Sequence, residues 1–406
     1  MACPLGRHVM VPTGKPKVGA VAGHSSVSLG SVARSSAGWC PHRARPILEG
    51  LMGDRLVLVF GGPSAEHEVS LASASAVLSH LTARGWDVFE AGVTQDGTWL
   101  VGSGALEALL ADADPARMPS GVAPVRRSGS VASLERFDGP PPVSVFGGRE
   151  LAFLACHGRW GEDGTAQGLF GSYGIKIVGC GVAASAACFD KRLTKRVLAG
   201  CGLPVTKGID LMQDEFVVDP VGVRERSASV LGEGRWFVKP ARSGSSLGIS
   251  VVERPDQLDA VLPEAFRWDE TVLVEEYVPH RELVVGVIGR EQLTVSPLGE
   301  CVPVGPLYTY AEKYKLGNPR FTCPARVEPE VSDRVRELAA RAYRALGCAV
   351  MARVDVFVDT RTGALLVNEV NTIPGLTEVS VFPKVMAAAG YGYADLLEEL
   401  CRLADA

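Results

Sequence analysis

The chain has 406 residues, of which 47% are hydrophobic and 21% are charged, and its formal net charge is −5. This composition is typical of a globular protein with room for two or three domains. The negative charge argues against a general nucleic-acid-binding protein, and no apolar run approaches the length of a membrane span, so we expect no nucleic-acid and no membrane partner.

The first 51 residues differ from the rest of the chain. They contain six Lys and Arg residues but a single acid, Glu49, and they are rich in Gly, Ser and Pro. No apolar core of a secretory signal precedes a cleavage site. We expect residues 1–51 to be a disordered leader, with a transit peptide and a true start at Met52 as the alternatives.

Residues 52–200 show the pattern of an α/β domain. A short apolar strand, Leu56–Phe60, runs into a Gly-Gly turn and a helical pattern from Val69 to Leu81. Strand, Gly-rich turn and helix open an α/β unit. Further strands are predicted at Asp87–Val93, Leu151–Cys156 and Ile175–Val178. We also predict a surface loop at 111–144 and a single helix at Ala183–Gly200.

Polar residues follow two of these strands. Glu66 and His67 come after the first strand, and His157 comes directly after the third. Parallel sheets place their ligands at the carboxyl ends of strands, where a carboxylate can hold an ammonium group. Acids near a helix N-terminus are also favourable without any ligand, so each position alone has a purely structural explanation.

The next segment has the pattern of a phosphate-binding hairpin. The strand Trp236–Pro240 contains Lys239, and a loop with two glycines and three serines, residues 241–248, leads to a returning strand. Such loops can direct backbone N–H groups at phosphates, and lysine is a common phosphate ligand, but Gly/Ser loops are more often plain turns. Beyond it, Glu275, Glu276 and Glu282 are acids around a strand connection, where solvated acids are the simpler explanation.

The segment 352–380 contains a candidate metal site. Two strands, Val354–Val358 and Ala364–Val370, are joined by a turn, and their two-residue period allows Asp355, Glu369 and Asn371 to meet on one side. Such a set suits Mg²⁺, which takes few oxygen ligands from protein and completes its coordination shell with phosphate and water oxygens. A solvated hairpin edge is the alternative. The ten cysteines form no C-x-x-C pair, so we expect no zinc site and a reduced, cytoplasmic protein.

Taken together, the motifs resemble those of the D-alanine–D-alanine ligases of the ATP-grasp superfamily. The matching pieces occur in family order from about Leu56 to Leu403, and they include GGPSAEHEVSL (61–71), HGRWGEDGTAQG (157–168), VKPARSGSSLGIS (238–250), EKY (312–314) and NEVNTIPGLTEVS (368–380). The resemblance implies an α/β (α+β), three-domain ATP-grasp fold whose N-terminal domain has a Rossmann-like parallel sheet. The implied domains are 52–190 for substrate, 191–282 as the central domain and 283–406 as the C-terminal domain with the metal site.

The resemblance also implies site residues. For ATP they are Lys191, Lys239, Ser246, Glu275, Glu276, Val278, Glu282 and Lys313. Asp355, Glu369 and Asn371 resemble the ligands of two Mg²⁺ or Mn²⁺ ions. Glu66, Ser245, Tyr314, Arg353 and Gly375 resemble the catalytic set, in which Glu66 anchors the first ammonium group and Arg353 with the Gly375 N–H stabilises an oxyanion. His157, Ser380 and Val381 resemble the remaining substrate contacts.

The implied activity is ATP-dependent ligation of two D-alanine molecules through an acyl phosphate, for peptidoglycan synthesis, by a homodimer. A D-lactate or other dipeptide ligase of a resistance or biosynthetic pathway is the alternative, and Tyr314 argues against D-lactate. A nucleotide-binding regulatory protein without catalysis is a third hypothesis, which the intact Asp355, Glu369, Asn371 and Arg353 set disfavours.

Overall fold

The structure is a computed structural model that describes residues 55–119, 134–302 and 321–406. These residues all belong to the unit Met52–Ala406. The predicted leader and the predicted site residues Lys313 and Tyr314 lie outside the described residues. Within the described part, the chain forms three sheets, each covered by helices.

The first sheet is parallel at its centre. Its strands are β1 (Arg55–Gly61), β2 (Asp87–Val93), β3 (Trp99–Val101), β4 (Glu135–Phe137), β5 (Leu151–Ala155) and β6 (Lys176–Val178), in the order β4-β3-β2-β1-β5-β6. Strands β2, β1, β5 and β6 run parallel, and β3 and β4 are antiparallel additions. Its helices are α1 (His67–Ala83), α2 (Ala105–Asp112) and α3 (Thr165–Ser172). Because β1 lies between β2 and β5, the loops after β1 and β5 adjoin each other, as ligand-binding loops do in such sheets.

The second sheet is antiparallel. It contains β7 (Gly208–Met212), β8 (Trp236–Pro240), β9 (Ser250–Val252) and β10 (Thr271–Glu276) in the order β7-β10-β8-β9. The helices before and between these strands are α4 (Val182–Phe189), α5 (Lys191–Gly200), α6 (Gln213–Val218), α7 (Pro220–Leu231) and α8 (Leu258–Phe266). The loop 241–248 joins β8 to β9, which confirms the predicted hairpin.

The third sheet, also antiparallel, carries the predicted metal hairpin. Its strands are β11 (His280–Gly289), β12 (Leu293–Val295), β13 (Gly299–Cys301), β14 (Phe321–Thr322), β15 (Val350–Asp359) and β16 (Leu365–Asn371), and its helices are α9 (Pro329–Ala345), α10 (Val381–Ala388) and α11 (Tyr393–Asp405). Short 3₁₀ turns lie at Val143–Phe146 and Pro255–Gln257. Strands β15 and β16 pair as a hairpin, with Asp355 directly opposite Glu369.

Alternation along β1 explains how the first sheet is packed on both faces. Leu56, Leu58 and Phe60 belong to one buried cluster, and Val57 and Val59 belong to another. The period of two along a strand places such alternate residues on opposite faces. The first cluster also contains residues of α10 and α11, so the end of the chain packs on the first sheet.

Two predicted elements were wrong in part. The single helix predicted at Ala183–Gly200 is two helices, because Asp190 adopts an extended conformation and caps α5 by accepting from the N–H groups of Arg192 and Leu193. The predicted loop 111–144 begins inside α2 and includes β4, and beyond it Phe146 is buried. The predicted domain boundaries stay predictions. Among the described residues, no helix combines the length and apolar character that crossing a membrane requires.

Candidate active site

Glu66 lies in the loop that follows β1, one residue before α1. Its side chain is buried, and its Oε1 accepts a hydrogen bond from the hydroxyl of Ser245 in the β8–β9 loop. A contact between residues 179 positions apart thus joins the first sheet to the second. A buried carboxylate requires compensating partners, so this is a place where a cationic substrate group is favourable.

The β8–β9 loop approaches Glu66 very closely. A Cβ added at Gly244 would lie 2.4 Å from Glu66 Oε2, so a larger residue there would displace the carboxylate or the loop. The next two residues, Ser245 and Ser246, have φ angles of 52° and 61°, in the left-handed region that non-glycine residues rarely adopt. Such backbone strain concentrates at ligand-binding segments.

His157 follows β5 and is held by serines of the neighbouring loop and helix. Its main-chain N–H donates to Ser70 Oγ over 2.9 Å, and its carbonyl accepts from Ser64 Oγ over 2.7 Å. Both ring nitrogens also have protein partners, Ser73 at 2.8 Å and the Ile373 carbonyl at 3.0 Å. Burial lowers the pKa of His157, which favours the neutral ring.

Glu162 is a buried acid in the same loop region. Its Oε2 accepts a hydrogen bond from the Gly158 N–H over 2.6 Å. Burial, with the nearby charge of Glu66, raises the pKa of Glu162 to about 8. The pocket therefore favours the protonated form of this carboxyl at neutral pH.

The phosphate-binding lysine predicted at position 239 belongs to a buried ion triad. Lys239 Nζ and Lys195 Nζ each lie 2.7 Å from an oxygen of Glu275, and Lys195 also donates to Thr206 Oγ1. Burial alone raises the pKa of Glu275, but the charges of the two lysines outweigh it and lower this pKa to about 2. Burial lowers the pKa of Lys195 to about 8. Glu275 is thus an ionised counter-charge between two lysines.

The other residues predicted for ATP surround this triad. Lys191 Nζ donates to the Ser243 carbonyl over 2.6 Å, which ties α5 to the β8–β9 loop. Glu276 Oε1 accepts from the Lys207 N–H, and the Val278 carbonyl is 2.6 Å from a ring nitrogen of His280. Glu282 lies on β11, next to the hairpin strand β15.

The β15–β16 hairpin brings a guanidinium group and two carboxylates together. Arg353 donates three hydrogen bonds to Asp355, at 2.7, 2.8 and 3.2 Å, and approaches Glu369 Oε1 at 3.4 Å. Burial opposes the charged form of Arg353, but the charge of Asp355 and then that of Glu369 raise its pKa further above its usual value. Asn371 ends the hairpin and accepts from the Ile373 N–H through Oδ1.

Helix α10 begins directly beside this hairpin. Ser380 precedes its first residue, Val381, and the Ser380 hydroxyl lies 2.7 Å from Thr377 Oγ1. The first N–H groups of a helix have no partner inside the helix, and the helix dipole adds positive potential there. The start of α10 is therefore suited to a carboxylate or phosphate. A Cβ at Gly375 would meet Ser380 Oγ at 2.9 Å, so the loop passes close to this site.

A cavity of about 190 Å³ connects these groups. The predicted residues that line it are Glu66, Lys191, Ser245, Ser246, Glu282, Arg353, Asp355, Glu369, Asn371, Gly375, Ser380 and Val381. Among the described residues, the other predicted ones, His157, Lys239, Glu275, Glu276 and Val278, lie outside this lining. Lys313 and Tyr314 are beyond the described residues.

Sequence reasoning missed residues whose roles depend on tertiary contacts. Ser73 lines the cavity, and Lys195 completes the ion triad. Helical spacing contained a signal for both. Ser73 is seven positions after Glu66, and Lys195 is four after Lys191, so each pair shares a helix face or its extension.

Comparison with known proteins gives a consistent result. A family model described as the D-ala D-ala ligase N-terminus matches residues 55–180, and one described as the D-ala D-ala ligase C-terminus matches residues 197–402. The chain is 41% identical over 352 residues to a D-alanine–D-alanine ligase of Chlorobium luteolum, covering 86% of this chain and 96% of that protein. It is 41% identical over 355 residues to the D-alanine–D-alanine ligase of Deinococcus radiodurans, covering 87% and 99%.

Solved structures agree. The VanG D-Ala:D-Ser ligase from Enterococcus faecalis is 32% identical, with a TM-score of 0.70 over 87% of this chain and 99% of that one. The D-alanine–D-alanine ligase from Coxiella burnetii is 28% identical, with a TM-score of 0.69 over 86% and 94%. The two family models together span both the Glu66 loop and the β15–β16 hairpin. The chain therefore belongs to the D-alanine–D-alanine ligase family.

Proposed function

We propose that this chain joins two D-alanine molecules to D-alanyl-D-alanine, with ATP converted to ADP and phosphate. The observation that carries the proposal is the combination of groups in one cavity. Glu66 suits an ammonium group, the start of α10 suits a carboxylate, and Arg353 lies beside paired carboxylates. The ammonium and carboxylate groups of an amino acid need Glu66 and the start of α10. The tetrahedral oxyanion that forms when an amine attacks an acyl phosphate needs a cation such as Arg353.

The first D-alanine is assigned to Glu66. Its ammonium group would pair with this buried carboxylate, which Ser245 already orients by a hydrogen bond. The first substrate's carboxylate would then attack the γ-phosphate of ATP and form an acyl phosphate. Tyr314, which lies outside the described residues, is proposed as a further partner of Ser245 and Glu66.

The second D-alanine is assigned to the start of α10. Ser380 and the Val381 N–H would hold its carboxylate, as helix N-termini hold anions. Its amine would attack the carbonyl of the acyl phosphate, and phosphate would leave. Arg353 and the Gly375 N–H are proposed to stabilise the oxyanion, and removing one such donor typically raises the barrier by ~3–4 kcal/mol. His157 is proposed as a further contact of the substrate pocket.

ATP is assigned to the region between the second and third sheets. Lys191, Lys239 and Ser246 are proposed as phosphate ligands with Lys313. The remaining ATP contacts, with the adenine and ribose, are proposed as Glu275, Glu276, Val278 and Glu282. The support is that Lys191, Ser246 and Glu282 line the same cavity. Lys239 does not line the cavity, but it is paired with Glu275 in the ion triad.

Two Mg²⁺ or Mn²⁺ ions are part of the proposal. No group of three or more His, Cys, Asp or Glu side chains is arranged for a metal among the described residues. Two carboxylates and one amide are nevertheless on the cavity wall, with Asp355 opposite Glu369. Magnesium usually takes one or two carboxylates and completes its shell with phosphate and water oxygens, so the donor set fits. Bound there, the metal would supply charge compensation for the phosphates.

Glu369→Gln tests this metal assignment. It removes one negative charge but keeps the side-chain size, so we expect phosphate release to fall below detection and the far-ultraviolet circular dichroism spectrum to stay unchanged. Isothermal titration calorimetry, in which Mg²⁺ is added to the protein with a bound non-hydrolysable ATP analogue, should show weaker metal binding by the variant than by wild type. Near-normal phosphate release by the variant would contradict the assignment.

A second candidate acceptor is D-serine. It is favoured by one observation, the likeness to the VanG D-Ala:D-Ser ligase. A phosphate-release assay with D-alanine alone, and with D-alanine plus D-serine or D-lactate, separates the candidates when products are identified by mass spectrometry. We expect D-alanyl-D-alanine as the main product. If D-alanyl-D-serine predominates, the acceptor is D-serine and the proposed ligase chemistry stands. If no phosphate is released with any acceptor, the proposed function is wrong.

A cytoplasmic homodimer completes the proposal. All eight cysteines within the described residues are free, which is typical of a reducing compartment. The homodimer rests on the family resemblance alone. Fractionation of the producing cell and sedimentation analysis of the purified protein test these two statements.

A further inference from the structure

The loop of residues 372–380 joins the metal hairpin to α10 and carries the proposed acceptor site. It contains Gly375 and Ser380, and both line the cavity. In this loop the chain forms neither a helix nor a strand. Its position therefore depends on tertiary contacts, which are the packing of the buried Ile373 and Leu376 side chains and hydrogen bonds from other parts of the molecule.

Two of these bonds come from His157 and Ser73. The Ile373 carbonyl lies 3.0 Å from His157 Nδ1, and because a carbonyl only accepts, Nδ1 must carry the proton. In the neutral ring, Nε2 then accepts from the Ser73 hydroxyl, which is 2.8 Å away. The Leu376 N–H in turn donates to Ser73 Oγ over 3.4 Å. One serine and one imidazole thus hold two main-chain groups of the loop.

Burial makes this arrangement effective. The exposed fraction is 0% for Ser73 and 4% for His157, so water does not compete strongly for the bonds. Buried hydrogen bonds are stronger in such surroundings, and a partner left unpaired is costly. The Leu376 carbonyl also accepts a hydrogen bond from the Tyr393 hydroxyl, so Leu376 is held at both its N–H and its C=O.

Helix α1 relates this loop to the first-substrate site. Glu66 immediately precedes α1, and Ser73 lies seven positions further along. Seven residues are about two helical turns, or roughly 10 Å along the axis. A single rigid helix therefore fixes both the proposed ammonium ligand of the first substrate and the loop that presents the second. Fixing two reactants at a set distance is a large source of rate acceleration.

We infer that Ser73 and His157 are positioning residues for the second amino acid, acting through the main chain of Ile373 and Leu376. We call these two side chains the Ser73–His157 bridge. They set where Gly375 and the start of α10 lie, and so where the acceptor's carboxylate and amine are held. This inference rests on the proposed function, because it names the acceptor as the substrate whose binding depends on the bridge.

The central test is Ser73→Ala. It removes the donor to His157 and the acceptor for Leu376 with little change in volume. Initial rates of phosphate release over a D-alanine range wide enough to separate the two binding steps give KM for each amino acid. We expect KM for the second D-alanine to rise by about ten-fold or more, with KM for ATP and for the first D-alanine within about two-fold of wild type.

Three further variants sharpen the test. Ser75→Ala removes another buried serine hydroxyl from α1, one outside the bridge, and should leave all three KM values unchanged. Ser73→Thr keeps the hydroxyl and should recover most of the acceptor binding. Ser73→Cys keeps the side-chain shape but is somewhat larger and a weaker donor; it replaces Ser73→Ala if that variant does not fold, and should raise the same KM.

The outcomes separate the bridge from the proposed function. If wild type turns over D-alanine and Ser73→Ala, or Ser73→Cys in its place, keeps the wild-type acceptor KM, the bridge is wrong. Equal rises in all three KM values, together with a lower melting temperature, also overturn it, because they show a general loss of structure. If wild type releases no phosphate with any acceptor, the proposed function fails, and the acceptor role fails with it.

Discussion

At the scale of single residues, the buried carboxylates of the cavity differ in what surrounds them. Glu66 accepts from the Ser245 hydroxyl, Asp355 is paired with Arg353, and Glu162 accepts from the Gly158 N–H of its own loop. A carboxylate with a cationic partner stays ionised, and one that is buried beside other acids retains its proton. Neighbouring acids in one cavity can thus be kept in different protonation states.

Glu162 gives a prediction about pH. Burial raises its pKa from 4.5 to about 8, so between these values the folded protein keeps a proton that the unfolded chain has released. Stability must then fall as pH rises through this window, by up to about 1.4 kcal/mol per pH unit from this group. Glu162→Gln removes the titration.

We therefore expect the melting temperature of the Glu162→Gln variant to improve relative to wild type as pH rises from 5 to 8. Parallel melting curves for the two proteins, recorded by circular dichroism in a pH series, provide the measurement. A constant difference across the series would show that Glu162 does not hold a proton in the folded protein.

Gly244 gives a prediction about the first-substrate site. Gly244→Ala adds a Cβ that would meet Glu66 Oε2 at 2.4 Å, so the carboxylate or the loop must move. We expect kcat/KM for the first D-alanine to fall by about ten-fold or more, since misplaced catalytic groups lose large factors in rate. The assay is phosphate release at saturating ATP.

A matched control is available on α3. Gly171 is an exposed helical glycine whose added Cβ would meet nothing within 4 Å. Gly171→Ala should leave activity unchanged and raise stability slightly, because alanine favours the helix by roughly 0.5–1 kcal/mol. Full activity of Gly244→Ala would mean that the loop can retreat from Glu66 without consequence.

At the scale of elements, the break between α4 and α5 is more than a detail of helix length. Asp190 accepts from the N–H groups of Arg192 and Leu193 at 2.9 and 3.4 Å, and α5 starts at Lys191, whose Nζ reaches the Ser243 carbonyl. The cap therefore fixes the first turn that aims a predicted phosphate ligand at the β8–β9 loop. A continuous helix would direct Lys191 elsewhere.

Asp190→Ala should cost about 0.5–2 kcal/mol of unfolding free energy, because two helix N–H groups lose their acceptor. It should also raise KM for ATP, since Lys191 loses its fixed position. Urea denaturation and ATP titration measure the two effects. Asp190→Asn keeps a capping oxygen and should lose less stability than Asp190→Ala. If both variants lose the same stability, the ion pair between Asp190 and Arg192, at 2.6 Å, matters more than the cap.

At the scale of the whole molecule, the likeness to solved ligases confirms the ATP-grasp fold that the motifs implied. The family models match only residues from 55 onward, and the site residues all lie in that part.

We therefore expect a chain that begins at Met52 to express in soluble form and to release phosphate at the rate of the full chain. Comparison of the two proteins for kcat, KM and melting temperature tests this. A loss of solubility or activity on removing residues 1–51 would assign them a structural or functional part.

The sequence by itself determined the local elements and the chemistry of the motifs. The apolar run of β1 and the turn between β15 and β16 are properties of short segments, so they were predictable without any tertiary information. Helix length was less predictable, because Asp190 suits both a helix interior and a cap, and only its contacts select the cap.

The tertiary structure alone decided which distant groups meet. Glu275 reads as an exposed acid, yet two lysines bury and ionise it, since α5 and β8 converge on β10. Ser73 is unremarkable in sequence, yet it contacts a loop 303 positions away. Such contacts depend on how sheets and helices pack, and packing energies are summed over the whole chain, so no local pattern specifies them.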